Sequence, residues 1–120
     1  AAKLVANSTL FGVLAALGEA LALADSLGLE RDATFEVLAQ TPLAAQAERR
    51  RDSLAAGSYP RRFALSLARK DAALVVEAAT AAGVDLRVAP AALAWLADAE
   101  LAGAGDSDYT AVLETIVGER

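Results

Sequence analysis

Strand-forming residues are scarce in this chain, and that shortage limits what it can fold into. Roughly a quarter of the residues are alanine, leucine comes next, and aromatics make up only 5%. Alanine and leucine lose little on entering a helix, whereas strands favour the β-branched and aromatic side chains that are sparse here. The chain is expected to be all-α, with about six helices around one long first helix. Its 120 residues fit one domain. With 56% hydrophobic and 22% charged residues, it has enough apolar surface for a packed core.

Composition also removes whole classes of function. Cys and His are both 0, which excludes thiol nucleophiles, disulfides, Cys/His zinc sites and imidazole acid-base chemistry, and no metal site is expected. Only Lys, Arg, Tyr, Asp and Glu are left to move protons. A net charge of -5 and a sequence pI of about 4.6 lack the basic footprint of a nucleic-acid binder and argue against an anionic membrane surface as partner. The longest uncharged stretch, Leu4 to Gly18, is shorter than the roughly 20 residues of a bilayer span and contains Asn7, Ser8 and Thr9. With no signal peptide visible, a cytoplasmic location is the expectation.

Periodicity divides the chain. Leu10, Val13, Leu14, Leu17, Leu21 and Leu27 recur at helical spacing, so Ala2 to Leu27 reads as one long helix ended by Gly28. A second helix is expected to start near Asp32 as N-cap, to bury Phe35, Val37 and Leu38, and to stop at Thr41-Pro42. A third spans about 43–56, before the turn cluster Gly57-Ser58-Tyr59-Pro60. A fourth, about 62–82, places Phe63, Leu67, Lys70 and Leu74 on one stripe that a lysine interrupts. Val84 to Val88 connects to a fifth helix with Pro90 in its first turn and Leu93, Trp95 and Leu96 in its body. Gly103 to Asp106 ends that helix, and Asp108 caps a last one over Tyr109 to Val117.

Two polar constellations stand out. Lys3 and Asn7 are four residues apart, so both project from the same face at the start of the first helix. An amine desolvated in a cleft passes a proton more readily, and an amide beside it can donate to a substrate oxygen. The plainer reading is a solvated lysine near a chain end and a polar residue in a first turn. Lys70-Asp71 is equally ambiguous. A lysine aligned with apolar residues either extends past them to water or faces a cleft shared with another domain.

Together the ordered pieces carry a resemblance. Lys3-x-x-x-Asn7, then Glu19-Ala-Leu-Ala-Leu-Ala-x-x-x-Gly28-Leu29, then Phe63-x-x-x-Leu67-x-x-Lys70-Asp71, then Gly103-x-Gly105-Asp106-x-Asp108-x-x-Ala111, resemble the β-hydroxyacid dehydrogenases over essentially the whole length. That family includes 3-hydroxyisobutyrate dehydrogenase, tartronate semialdehyde reductase and the glyoxylate/succinic semialdehyde reductases. The match is to its C-terminal domain, a bundle like that of 6-phosphogluconate dehydrogenase. The resemblance implies that residues 1–120 form a substrate and dimerisation domain of an NAD(P)-dependent oxidoreductase acting on a small hydroxyacid or semialdehyde, as a homodimer. It implies Lys3 as the catalytic lysine, Asn7 as a substrate-orienting residue, and Lys70, with Phe63 and Asp71, on the cofactor side of the cleft. Glycines of the G-x-G-x-x-G type following a strand are absent from this stretch, so the nucleotide-binding half is expected elsewhere and this stretch alone is expected to be inactive.

Departures from the family pattern bear on substrate. The serine/tryptophan pattern of 3-hydroxyisobutyrate dehydrogenases is not reproduced around Thr41 to Gln46, and Arg61-Arg62 stands where Pro-Gly often precedes the phenylalanine. The related imine reductases usually replace the lysine, so Lys3 favours carbonyl chemistry. Of the remaining polar residues, Glu19 reads as structural, Tyr59, Tyr109 and Trp95 as core-edge or interface groups, and Arg49-Arg50-Arg51, beside Glu48 and Asp52, as a solvated face. The alternative to a dehydrogenase domain is a non-catalytic helical association module.

Overall fold

A computed structural model describes residues 1–118. Six α-helices follow in order: α1 Ala2–Ser26, α2 Arg31–Leu38, α3 Ala44–Ala56, α4 Leu65–Ala82, α5 Val88–Ala99 and α6 Val112–Val117. Between α5 and α6 lie a π-helical turn, Glu100–Ala104, and a 3₁₀ turn, Tyr109–Ala111. There is no strand among the described residues, only an isolated antiparallel bridge between Ala64 and Asp108. The expected all-α bundle around one long helix is what forms.

α1 is the axis of the molecule. Its buried residues Phe11, Leu14, Leu17 and Leu21 recur three or four apart, and they form one core with Leu65 of α4, Leu96 of α5 and Leu113 and Ile116 of α6. By length and composition α1 is apolar enough to cross a membrane, but in this fold its buried stripe is the centre of the bundle. The helix ends as its sequence indicates: Gly28 adopts φ 78°, and the Leu29 amide returns to the Ala24 carbonyl.

Alanines set how closely the helices approach. The buried side of α4 is Leu65, Ala68, Ala72 and Val75, while Leu67 and Leu74 are 49% and 44% exposed. The expected buried stripe of Phe63, Leu67, Lys70 and Leu74 is therefore corrected; within α4 that stripe faces outward. Periodicity tracked large apolar residues, but the seam is filled by small ones, which let neighbouring backbones come close. Val37 of α2 is likewise exposed, whereas Phe35 and Leu38 are buried. Asp32 is not the N-cap of α2: Glu30 holds that position without a side-chain cap, and Asp32 pairs with Arg51 at 3.1 Å.

Gly18 marks the tightest crossing. A β-carbon there would sit 2.7 Å from the Ile116 Cδ1 and 3.0 Å from its Cβ, closer than packed atoms tolerate. Gly18→Val is therefore expected to lower stability by about 1–3 kcal/mol, the usual cost of overpacking a core. Chemical denaturation against the parent chain measures it; an unchanged midpoint would show that α6 can move away freely.

Candidate functional site

Phe63, the first of the candidate site residues along the entry to α4, is held by a single buried carboxylate. Asp108 is only 5% exposed. Its Oδ1 accepts from the backbone amides of Arg62 at 2.9 Å and Phe63 at 3.0 Å, and its Oδ2 accepts from the amide and hydroxyl of Thr110. Backbone bonds from Leu65 to Ser107 and from Tyr109 to Phe63, both 2.8 Å, complete the clamp. The Phe63 ring then meets the Tyr109 ring edge-on at 6.1 Å, and Tyr109 meets Phe11 of α1 in the same manner at 6.3 Å. One aromatic chain thus runs from the entry of α4 to the first half of α1.

Lys3 and Asn7 share the face of α1 that was expected. Asn7 lies at a narrow apolar seam with Phe11, Ala72, Val75 and Ala92, which has no room for a water molecule. Asp71, half-buried, directly precedes Ala72 of that seam. The structure thus brings Asn7 beside the middle of α4, with Lys3 exposed one turn nearer the chain start. Lys70 is exposed, two residues from both Ala68 and Ala72 and hence on the far side of α4 from the packed seam. Neither Lys3 nor Lys70 is in an ion pair among the described residues. Both amines are open to a negatively charged partner.

The other polar candidates are structural. Glu19 accepts from the Trp95 indole at 2.9 Å and ties α1 to α5. Tyr59 donates to Glu114 at 2.8 Å; burial, then that hydrogen bond, hold its phenol well above its ordinary range, so it does not release its proton near neutrality. Asp108 was read in the sequence as a helix cap alone. It does cap, but the amides of Arg62 and Phe63 are partners forty-odd residues away, and the only advance signal was its place in Gly105-Asp106-x-Asp108. No group of three or more acidic residues able to hold a metal occurs among the described residues.

The bundle and its α1–α4 seam define a class, the helical domain of hydroxyacid dehydrogenases: a crystal structure of 3-hydroxyisobutyrate dehydrogenase from Salmonella typhimurium superposes with a TM-score of 0.79 at 31% identity, covering 95% of this chain and 40% of that one. The family model described as NAD-binding of NADP-dependent 3-hydroxyisobutyrate dehydrogenase matches residues 1–116, and this chain belongs to that family. Glyoxylate/succinic semialdehyde reductase 1 of Arabidopsis thaliana is 30% identical over 115 residues, 95% of this chain and 40% of that protein. The Mycobacterium tuberculosis 3-hydroxyisobutyrate dehydrogenase with L-serine shares the fold, with a TM-score of 0.74 at 23% identity, covering 98% of this chain and 43% of that one. The chain thus spans about two fifths of the length of these relatives.

The clamp gives a pH-dependent expectation. Burial alone would raise the Asp108 pKa, but the bonds from Thr110, Phe63 and Arg62 outweigh it and hold the carboxyl below its ordinary value of 3.8. A folded-state pKa below the unfolded one stabilises above the ordinary value, and that contribution is lost as pH falls through the folded one. Asp108→Asn, which turns an amide donor toward groups that are themselves donors, is expected to cost about 2–4 kcal/mol at neutral pH and progressively less in acid. Denaturant midpoints at pH 7 and pH 3 measure this; an equal loss at both would remove the charge from the explanation.

Proposed function

We propose that residues 1–120 are the helical substrate and dimerisation domain of an NAD(P)-dependent β-hydroxyacid dehydrogenase, interconverting a small hydroxyacid and its semialdehyde or keto form. The observation that carries the proposal is the pairing of a family match over residues 1–116 with an unpaired Lys3 on the same helix face as Asn7. A nucleotide-binding domain elsewhere in the protein would close the cleft over that face. The Lys3 amine, free of a carboxylate partner among the described residues, and the half-buried Phe63 ring, whose backbone is fixed by Asp108, fit such a cofactor, while the Lys70 amine stands on the outer face of α4, away from the seam.

In this reading NAD or NADP, when bound, supplies or accepts the hydride at the substrate carbon. Lys3 moves the proton to or from the substrate oxygen as that carbon changes oxidation state. Asn7, one turn along, donates to the same substrate and fixes its orientation. Lys70 offsets negative charge where the cofactor passes the outer face of α4, Phe63 walls the cleft against water, and Asp71 supports the groups around it.

Lys3→Ala in the full-length enzyme is expected to lower kcat by roughly 10²–10⁴-fold with the fold retained, the usual loss for a general acid-base group. Steady-state kinetics beside circular dichroism checks it, and near-normal turnover rejects the role.

Assembly as a homodimer belongs to the same proposal. The outer side of α1 leaves Val5 and Leu23 67% and 61% exposed, with Ala16 between them on the same face. Apolar residues lined up on one helix face are covered in most proteins. Light scattering is expected to give a dimer, and Leu23→Glu to shift it toward monomer; a monomeric parent chain at high concentration contradicts the assembly.

A further inference from the structure

The arginine run of α3 does not stay together. Arg51 turns to α2, where its guanidinium lies 4.7 Å over the Phe35 ring and bonds Asp32. Arg49, Arg50 and, a turn on, Ser53 face another way. With Arg62, they line a cavity of about 260 Å³ whose wall also includes Asp108 and Thr110. Since a water molecule takes about 30 Å³ in the liquid, the space admits an oxyanion with some of its hydration.

Charge on this wall is unbalanced. None of Arg49, Arg50 and Arg62 is in an ion pair among the described residues. Among the described residues Asp108 is the one carboxylate on the wall, and both its oxygens are already committed to the amides of Arg62 and Phe63 and to Thr110. Three guanidiniums less one carboxylate leave about two positive charges. Arg50 reaches only the neutral Tyr109 hydroxyl, at 3.4 Å, and its Nε is buried with no hydrogen-bond partner. Its remaining guanidinium nitrogens have no charged partner among the described residues, and an anion in the cavity would supply one.

We infer that this cavity is an anion site that takes a phosphate group, gripped by Arg49, Arg50 and Arg62 with the Ser53 hydroxyl at hand. Phosphate fits better than carboxylate. One guanidinium fork already fills a carboxylate, whereas three forks need an anion with more oxygens, and a doubly charged group matches the excess charge. The phosphate could come from inorganic phosphate, from a phosphorylated metabolite or from a nicotinamide dinucleotide. The site stands apart from the proton relay proposed for Lys3, so Lys3→Ala should bind phosphate like the parent chain.

Titration calorimetry of the full chain with sodium phosphate, against sodium chloride at equal ionic strength, is expected to show saturable binding with a rise in melting temperature. Arg50→Gln and Arg62→Gln are each expected to bind about tenfold or more weakly, and Arg50→Lys to lose less. Both leave the backbone amides that serve Asp108 in place, and circular dichroism verifies the fold. Arg61→Gln, whose guanidinium bonds the Asp106 carbonyl at 3.3 Å and does not line the cavity, serves as the control that keeps full affinity. Competition between phosphate and NADP identifies the dinucleotide as the source, and independent binding identifies a separate phosphorylated molecule. The absence of saturable phosphate binding, or equal affinity in the parent, Arg50→Gln and Arg62→Gln chains, overturns the site.

Discussion

Asp108 holds this fold to its site. A carboxylate taken out of water is costly unless its lone pairs are filled, and here four donors fill them. Two of those donors are consecutive backbone amides ahead of α4, and two belong to Thr110 at the start of the last helical segment. The bond set therefore fixes where α4 begins and how it enters the bundle. Phe63, Tyr109 and Phe11 meet because that junction is rigid, and α4 reaches α1 with Ala68, Ala72 and Val75 turned inward. Remove the charge, and an interior junction of loop backbone would have to find other partners.

Much of the architecture was legible in the residues. Long α1, its stop at Gly28, the break before Pro42 and the shift from α3 to α4 through Gly57 all follow from propensity and cap chemistry. Which face of α4 is buried was not legible, because apolar residues cover well over half of that helix's circumference. When Leu and Val occur on two opposite sides, the seam is chosen by which side chains are small enough, and a search for large hydrophobes points the wrong way. Leu67 and Leu74 were misplaced for this reason, whereas Val37 lies off the Phe35/Leu38 side that α2 buries. Asp32 was misread because an acidic residue in a first turn and an N-cap look alike in sequence, and only geometry separates them.

For the site, spacing alone gave little. Lys3 and Asn7 share a face on any helix, and such a pair is unremarkable on a surface. Their order relative to Glu19, Gly28, Phe63 and Lys70 carried the resemblance, and the family match over residues 1–116 agrees with it. The long-range partners of Asp108 and the splitting of the arginine run were beyond reach. Both depend on where residues distant along the chain meet, as when Arg51 reaches Asp32 and Arg50 approaches Tyr109.

The indole of Trp95 has a practical value. It is the chain's one tryptophan, and its ring nitrogen bonds across to Glu19 on the neighbouring helix. All tryptophan emission therefore originates at the junction of α1 with α5, in a half-buried ring whose colour follows local polarity. The molecule carries its own optical gauge of whether its central helix is seated, and no label is needed to watch that helix part from its neighbour.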